Sequence, residues 1–293
     1  MNLVARFVVC LAFVLGASCV VLSLSANAQT PPPSAKPFPT PPPTSVAKPF
    51  PKPYEHFLDG DYYVSPKIYN EFSPGSTGSG GAVGAVGEFP LAGLTFPGVA
   101  TPSVLIGFDY RTYSYRHDQG NVEPLGSGTQ QVFVPSFTAR DTDFDARLGL
   151  KIAEPRIYIG IGYLHREQAQ GSPIIDYPKL GGFGFGVEKL PDLDQTFSIY
   201  GSAWYYPSVQ GDFGAFSYGN CPGAGGVNLC ASAAGTLQYR VLKYQIGGTL
   251  TFGGSNSPLF LDLGALGDRS NGKQNAPSNT TTYGPYIGLG LHF

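Results

Sequence analysis

The chain has 293 residues with a formal net charge of −2 at pH 7, and only 13% of them are charged. Soluble domains carry about 25% charged residues, so this composition excludes an ordinary water-exposed surface. No basic stripe is present, which argues against nucleic acid as a partner. With 40 glycines and 13% aromatic residues, the chain is predicted to be all-β with an unusually apolar exterior.

Residues 1–28 have the pattern of a cleaved signal peptide. Arg6 is followed by the apolar stretch Phe7–Leu24 and by Ala26-Asn27-Ala28, which matches an A-x-A cleavage site. Export excludes an ordinary cytoplasmic enzyme. No later apolar run reaches about 18 residues, so a helical membrane protein is excluded as well.

Residues 29–56 are predicted to be a proline-rich spacer. Proline occupies 11 of the 23 positions from Pro31 to Pro53, and Ala-Lys-Pro-Phe-Pro occurs twice, at 35–39 and 47–51. Such a segment favours extended polyproline II structure. Residues 57–102 have no clear pattern, and we expect either an extra strand near Tyr62–Phe72 or a plug.

Alternation of apolar and polar residues predicts eight β-strands from residue 103 onward. They lie at about 103–116, 142–152, 156–167, 179–189, 195–207, 236–252, 258–268 and 283–293. Short links at 153–155, 190–194 and 253–257 alternate with long links at 117–141, 168–178, 208–235 and 269–281. This alternation is typical of an antiparallel transmembrane β-barrel, which has short turns at one end and long loops at the other. An extra strand in 57–102 leaves a ten-stranded barrel as the alternative.

Charged residues fall on one face of the predicted strands, with four of each sign: Asp109, Arg111, Asp145, Arg147, Lys151, Glu188, Lys243 and Asp262. A soluble barrel or a β-sandwich would turn this face to water. The opposite face would then form the core, and the glycine-rich, weakly charged exterior would be poorly soluble. We therefore expect the charges to form a paired network inside the barrel, with inward glycines making room for Tyr158, Tyr200 and Tyr286.

Aromatic residues near the two ends of the strands predict two interfacial belts. One set, toward the long loops, comprises Tyr110, Tyr163, Trp204, Tyr205, Tyr206 and Tyr239, and the other comprises Phe197, Phe252, Phe260 and Phe293. Cys221 and Cys230 are the cysteine pair that follows the leader, and in an oxidising compartment they are predicted to form a disulfide.

The leader, the alternation of short and long links and the terminal strand Tyr286–Phe293 resemble those of one family. This is the eight-stranded outer-membrane β-barrel family, the OmpA-type transmembrane barrel and its small relatives. The resemblance implies an outer-membrane barrel over residues 103–293 in a Gram-negative-type bacterium, in contact with outer-membrane lipid and lipopolysaccharide. It also implies that Ile287, Leu289, Leu291 and Phe293 are the signal read by the barrel-assembly machinery. No peptidoglycan-binding domain follows the barrel, so the spacer is expected to be an inert linker or a contact for peptidoglycan.

These features predict a structural barrel with a largely closed lumen and outward loops, above all 208–235, that present an interaction surface. The alternatives are a narrow porin-like channel and a lipid-modifying enzyme. His117 with Asp118 and Ser114, and His165 with Glu167, do not match the arrangements such enzymes need. We therefore expect no catalytic, cofactor-binding or metal-binding residues.

Overall fold

Every regular element in the described part of the chain is a β-strand. The computed structural model describes residues 56–70, 75–122, 132–172, 177–218, 230–252 and 258–293. In these ranges no helix is long and apolar enough to cross a membrane. The predicted leader, nearly all of the spacer, the 253–257 link and Cys221 lie outside the described residues.

Fifteen strands are present in these ranges, five of them only three residues long. The first seven are β1 (His56–Tyr63), β2 (Lys67–Tyr69), β3 (Ser76–Pro90), β4 (Ser103–His117), β5 (Gly120–Val122), β6 (Val132–Val134) and β7 (Phe137–Ala153). The others are β8 (Ile157–Gln170), β9 (Leu180–Lys189), β10 (Phe197–Phe213), β11 (Phe216–Tyr218), β12 (Cys230–Ser232), β13 (Gly235–Thr251), β14 (Leu259–Gln274) and β15 (Thr280–His292).

Ten of these strands form a closed, hydrogen-bonded antiparallel ring. Its order is β1-β15-β14-β13-β10-β9-β8-β7-β4-β3, and the pairing of β3 with β1 closes it. Phe57 pairs with His292 of β15 on one side and with Val86 of β3 on the other. We call the end that carries His56 and Phe293 the terminal end, and the opposite end the loop end.

One short strand and two short hairpins lie at the loop end of the ring. β2 pairs with β15 and β3 and so extends the sheet beyond β1. β5 pairs with β6, and β11 pairs with β12, as separate two-stranded sheets. The loop end therefore carries two additional hairpins, and the described residues of the terminal end include none.

All eight predicted strands are present, but the expected count of eight is wrong and the ten-stranded alternative is confirmed. The two further strands are β1 and β3, from the segment that the sequence left unassigned. β3 consists mainly of glycine, serine, alanine and valine without regular alternation, so it carries almost no hydrophobic pattern. Its extended form depends on hydrogen bonds to β1 and β4, which local sequence does not reveal.

The strands also reach further at the loop end than predicted. β7 begins at Phe137, β10 ends at Phe213 and β14 ends at Gln274. The long link predicted at 269–281 is therefore wrong, since only residues 275–279 separate β14 from β15. At the terminal end, residues 91–102 form a connection longer than the other terminal-end connections between described strands.

The two faces of the ring differ sharply in polarity. Large apolar side chains are exposed on the outer face, whereas charged side chains are buried in the interior. Four aromatic residues that we expected in the belts face the interior instead, with exposures of 0–3%: Trp204, Tyr206, Tyr239 and Phe260. Alternation puts Trp204 and Tyr206 on the face opposite Tyr205, so position near a strand end did not decide which way the rings point.

Candidate functional site

The interior of the ring holds all eight charged residues that the sequence grouped on one face. Seven of them are buried, and the Asp109 side chain is 15% exposed. They come from β4, β7, β9, β13 and β14, so the alternation of each strand turns them toward a common space. Which of these side chains contact one another depends on their positions along the axis of the ring.

Arg147 of β7 is the centre of the first ion-pair group. Its Nη2 lies 2.7 Å from Asp109 Oδ2 on β4, and its Nη1 lies 2.8 Å from Glu188 Oε2 on β9. The guanidinium also lies over the Trp204 ring, 5.9 Å from the ring centroid. Two carboxylates and one aromatic face thus hold this buried cation.

A second group joins β7, β8, β13 and β14. Lys243 Nζ lies 3.2 Å from Asp143 Oδ2 and 3.2 Å from Asp145 Oδ2. Arg166 donates from Nε to Asp143 Oδ1 at 2.7 Å and from Nη1 to Ser270 Oγ at 2.6 Å, and it also pairs with Asp268. Shared acids connect these pairs into one network, which is stronger than isolated pairs in a low-dielectric interior.

Asp143, Arg166 and Asp268 were missing from the predicted set. Arg166 lies on the same alternation as Tyr158, and Asp268 on the same alternation as Asp262, so each faces inward. Asp143, Arg166 and Asp268 all lie within the predicted strands 142–152, 156–167 and 258–268, so the period of two already put them on the inward face. They were left out of the predicted set although the pattern indicated them.

Arg111 and Asp262 take part in different contacts from the ones expected. Arg111 Nη2 lies 3.9 Å from Asp109 Oδ2 and donates to Gln245 Oε1 at 2.9 Å. Asp262 accepts hydrogen bonds from Tyr200 Oη, at 2.5 and 2.6 Å to its two oxygens, rather than from a base. Tyrosines therefore replace cations around Asp262.

The terminal end has its own polar cluster. Glu88 lies 2.9 Å from Arg156 Nη2, accepts a hydrogen bond from Ser103 Oγ at 2.7 Å and another from Tyr158. Lys151 Nζ pairs with Glu154 at 3.0 Å, so it does not reach the acids across the lumen. Neither Glu88 nor Arg156 was in the predicted set. Glu88 lies in the unassigned segment, whereas Arg156 begins the predicted strand 156–167 on the same alternation as Tyr158.

Aromatic rings and glycines fill much of the remaining interior. A Cβ on Gly186 would lie 2.5 Å from Trp204 Cδ2, and one on Gly247 would lie 2.6 Å from Tyr200 Cζ. Only glycine lets these rings lie flat against the neighbouring backbone. Tyr158 and Tyr286 are also buried, as expected for inward tyrosines.

Apolar clusters fill the interior of the ring at different positions along its axis. One cluster includes Leu164, Tyr206, Val209 and Tyr239 toward the loop end, and another includes Phe57, Leu190, Leu193 and Phe260 at the terminal end. A small cavity of about 40 Å³ adjoins the second cluster, and its lining includes Asp59, Arg147, Thr249, Asp262, Leu190 and Pro191. The interior is thus a packed polar core with a small cavity on its terminal side.

Neither the protein-family models nor the curated proteins give a match to this chain. Its function must be inferred from its own geometry.

The two histidines considered for catalysis lie near the loop end in different settings. His165 Nε2 lies 3.6 Å from Glu167 Oε1, and the same carboxylate oxygen lies 2.7 Å from Lys179 Nζ. The hydrogen bond to Glu167 raises the pKa of the exposed Lys179 ammonium. His117 is buried, and its ring stacks on Phe137 at a centroid distance of 4.8 Å.

The remaining predicted residues are at the terminal end and in the loops. Ile287, Leu289, Leu291 and Phe293 are all exposed along the outer face of β15. Cys230 begins β12, but Cys221 lies outside the described residues, so the disulfide stays a prediction.

Proposed function

We propose that this chain is a ten-stranded outer-membrane β-barrel with a structural role, a closed charge-paired lumen and outward loops that present an interaction surface. One observation carries the proposal, namely the inverted polarity of the ring. Its outer face exposes apolar residues on every ring strand, for example Leu58, Val83, Ile106, Leu148, Ile161, Phe185, Ile199, Ile246, Leu263 and Leu289. Its interior holds the ion pairs.

A water-soluble ring would require the reverse arrangement. Contiguous exposed apolar patches larger than a few hundred Å² are rare on soluble monomers and mark a partner or a membrane. Here the apolar surface follows the whole circumference, which a single protein partner would not cover. Hydrocarbon requires every backbone group to be bonded internally, and a closed ring without edges meets that requirement.

The dimensions of the strands agree with a bilayer. A tilted strand needs about 9–11 residues to cross the hydrocarbon core. The ring strands have from 8 residues in β1 to 17 in β10, and β2 continues the sheet beyond the short β1. An even number of antiparallel strands also fits single-chain bacterial barrels.

Exposed aromatic residues at both ends support an orientation. Phe89, Phe197, Phe252 and Phe293 are exposed at the terminal end. Tyr69 and Tyr283 stack on each other toward the loop end, 6.1 Å apart. We place the terminal end in the periplasm and the loop end outside, because bacterial barrels have their long loops outside.

The proposed role is structural because the interior is packed rather than open. Arg166 and Lys243 connect acids of β7 with β14 and β13 across the lumen, and Arg147 connects Asp109 with Glu188. The apolar clusters lie toward the two ends of the ring. In planar bilayers the chain should therefore not form stable large channels. Sustained large conductance would instead favour the narrow porin-like channel.

Lipid contact can be tested with the single tryptophan of the chain. Trp204 faces the interior, whereas Phe185 is 52% exposed on the outer face of β9. After refolding into vesicles with brominated acyl chains, the F185W/W204F variant should be strongly quenched and the wild type only weakly. Equal quenching of the two, or failure of both to enter vesicles, would contradict the proposal.

A further inference from the structure

Three carboxylates converge inside the ring on the terminal side. Asp59 and Asp61 belong to β1 and Asp262 to β14, and one oxygen from each lies within 4.8 Å of the other two. The register explains the meeting, since Asp61 and Asp262 both pair with Gly288 of β15, which lies between them. A Cβ on Gly288 would lie 1.9 Å from Asp61 Oδ1, so glycine keeps this space open.

This cluster lacks the cations that accompany the other interior acids. Within the described ranges, no lysine or arginine nitrogen lies within 4.0 Å of these three carboxylates, and the nearby Arg111 binds Gln245. Asp61 is 8% exposed, and its Oδ1 has no hydrogen-bond partner. Unpaired buried carboxylates are costly, so this cluster is neutralised either by protons or by a bound cation.

A neutral oxygen points to the same space independently of the acids. Thr249 is 1% exposed, and its Oγ1 has no hydrogen-bond partner. Thr249 pairs with Asp262 across β13 and β14, and both line the interior cavity together with Asp59. Buried hydroxyls are normally hydrogen-bonded. The Thr249 oxygen is therefore available to bind a ligand in the cavity.

We propose that Asp59, Asp61, Asp262 and Thr249 bind a calcium ion. Ca²⁺ prefers carboxylate and neutral oxygen ligands at about 2.3–2.6 Å, so opposed ligands on one ion stand about 4.6–5.2 Å apart. The three carboxylate oxygens lie within 4.8 Å of one another, so no two of them are further apart than two ligands of one such ion can be. The adjoining cavity leaves room for water to complete the coordination.

Tyr200 supports the geometry as a positioning residue. Its hydroxyl donates to Asp262 at 2.5–2.6 Å and thereby orients the carboxylate. The ligand set contains oxygen alone, with no histidine or thiolate, which favours Ca²⁺ over zinc or copper.

The test uses the full chain refolded in detergent micelles, after removal of metal by a chelator. Titration with CaCl₂ in a calorimeter should show one Ca²⁺ per chain. Asp61→Asn should weaken binding by at least about 100-fold, and Thr249→Val by about 10-fold. Asp118→Asn, at a side chain that is 95% exposed on the loop end, should bind as the wild type does.

Folding of each variant is checked by heat-modifiable gel migration, and a second readout is the thermal midpoint. Calcium should raise the midpoint of the wild type and of Asp118→Asn but not that of Asp61→Asn. Absence of Ca²⁺ binding by the folded wild type, or undiminished binding by folded Asp61→Asn, would overturn the proposal. The site lies inside the ring, so neither result bears on whether the ring inserts into a membrane.

Discussion

Arg166 and Asp143 form a bidentate ion pair inside the ring, with 2.7 Å from Nε to Oδ1 and 2.7 Å from Nη2 to Oδ2. They sit on adjacent strands β8 and β7, and Arg166 then reaches Asp268 on β14 across the lumen. The planar guanidinium makes two parallel hydrogen bonds to Asp143, a geometry that a lysine ammonium does not provide. Arg166 therefore joins β7 and β8 to β14 on the other side of the lumen.

Removal of Arg166 should strongly destabilise the folded chain. Arg166→Ala leaves Asp143 and Asp268 buried with fewer partners, at an expected loss of about 3–5 kcal/mol in the free energy of unfolding. Urea unfolding in vesicles or micelles measures this loss. The control is Arg269→Ala on the outward side of β14, where the side chain is exposed and binds Asn271, with an expected loss below about 1 kcal/mol. Equal losses in the two variants would contradict a structural network.

Gly186 should tolerate no side chain. Gly186→Ala puts a Cβ 2.5 Å from Trp204 Cδ2 and 2.6 Å from Ala203 O, and the backbone contact cannot be relieved by a rotamer change. Overpacking of this kind costs about 1–3 kcal/mol. Gly214→Ala is the control, because a Cβ there meets no atom within 4 Å. Gly186→Ala should therefore unfold at a lower denaturant concentration than Gly214→Ala. Coincident midpoints would refute the tight glycine–aromatic packing.

A charge on the outer face should oppose membrane insertion. Ile161 is 60% exposed in the central part of β8, and lysine in its place should cost about 2–4 kcal/mol in a bilayer. Phe133→Lys is the matched control, since Phe133 is exposed on β6, outside the ring. The measurement is refolding yield and unfolding free energy in lipid vesicles. A water-exposed outer face would instead leave both lysine variants unchanged.

Several parts of this fold followed from sequence pattern alone. Gly182-Phe183-Gly184-Phe185-Gly186 was predicted as a strand, and Phe183 and Phe185 do face outward while the glycines face the interior rings. The period of two carries this information within each strand. Arg166 and Asp268 lie within the predicted strands 156–167 and 258–268, and the same period puts both on the inward face.

Other parts depend on which strands are neighbours. β3 carries so few large side chains that its partners β1 and β4, rather than its own residues, determine its extended form. The meeting of Asp59 and Asp61 with Asp262 requires β1 and β14 to flank β15, which is known only once the ring is closed. The orientation of Trp204 depended on register, because its neighbour Tyr205 faces the other way.

The terminal phenylalanine should matter for assembly and little for stability. Phe293 is 71% exposed, so its side chain packs weakly on the folded ring. Phe293→Ala should lower the amount of barrel in outer membranes several-fold, yet refolding in micelles should be unchanged. Phe252→Ala is the control, as Phe252 is 54% exposed at the same end. If both variants assemble equally well, Phe293 carries no assembly signal.

The disulfide between Cys221 and Cys230 is open to direct mass measurement. Protein isolated from membranes without reductant should take up no thiol-alkylating reagent, and after reduction it should take up two equivalents, because exported cysteine pairs are normally oxidised. Alkylation of both cysteines before reduction would show free thiols.

The central claim is that the ring is a membrane barrel, and heat-modifiable gel migration of outer-membrane fractions tests it most directly. Closed barrels resist detergent at room temperature because their hydrogen-bonded ring has no free edge. We predict that the full chain is found in the outer-membrane fraction and that the unheated form migrates ahead of the heated form. Recovery in the soluble fraction, with identical migration before and after heating, would contradict the account.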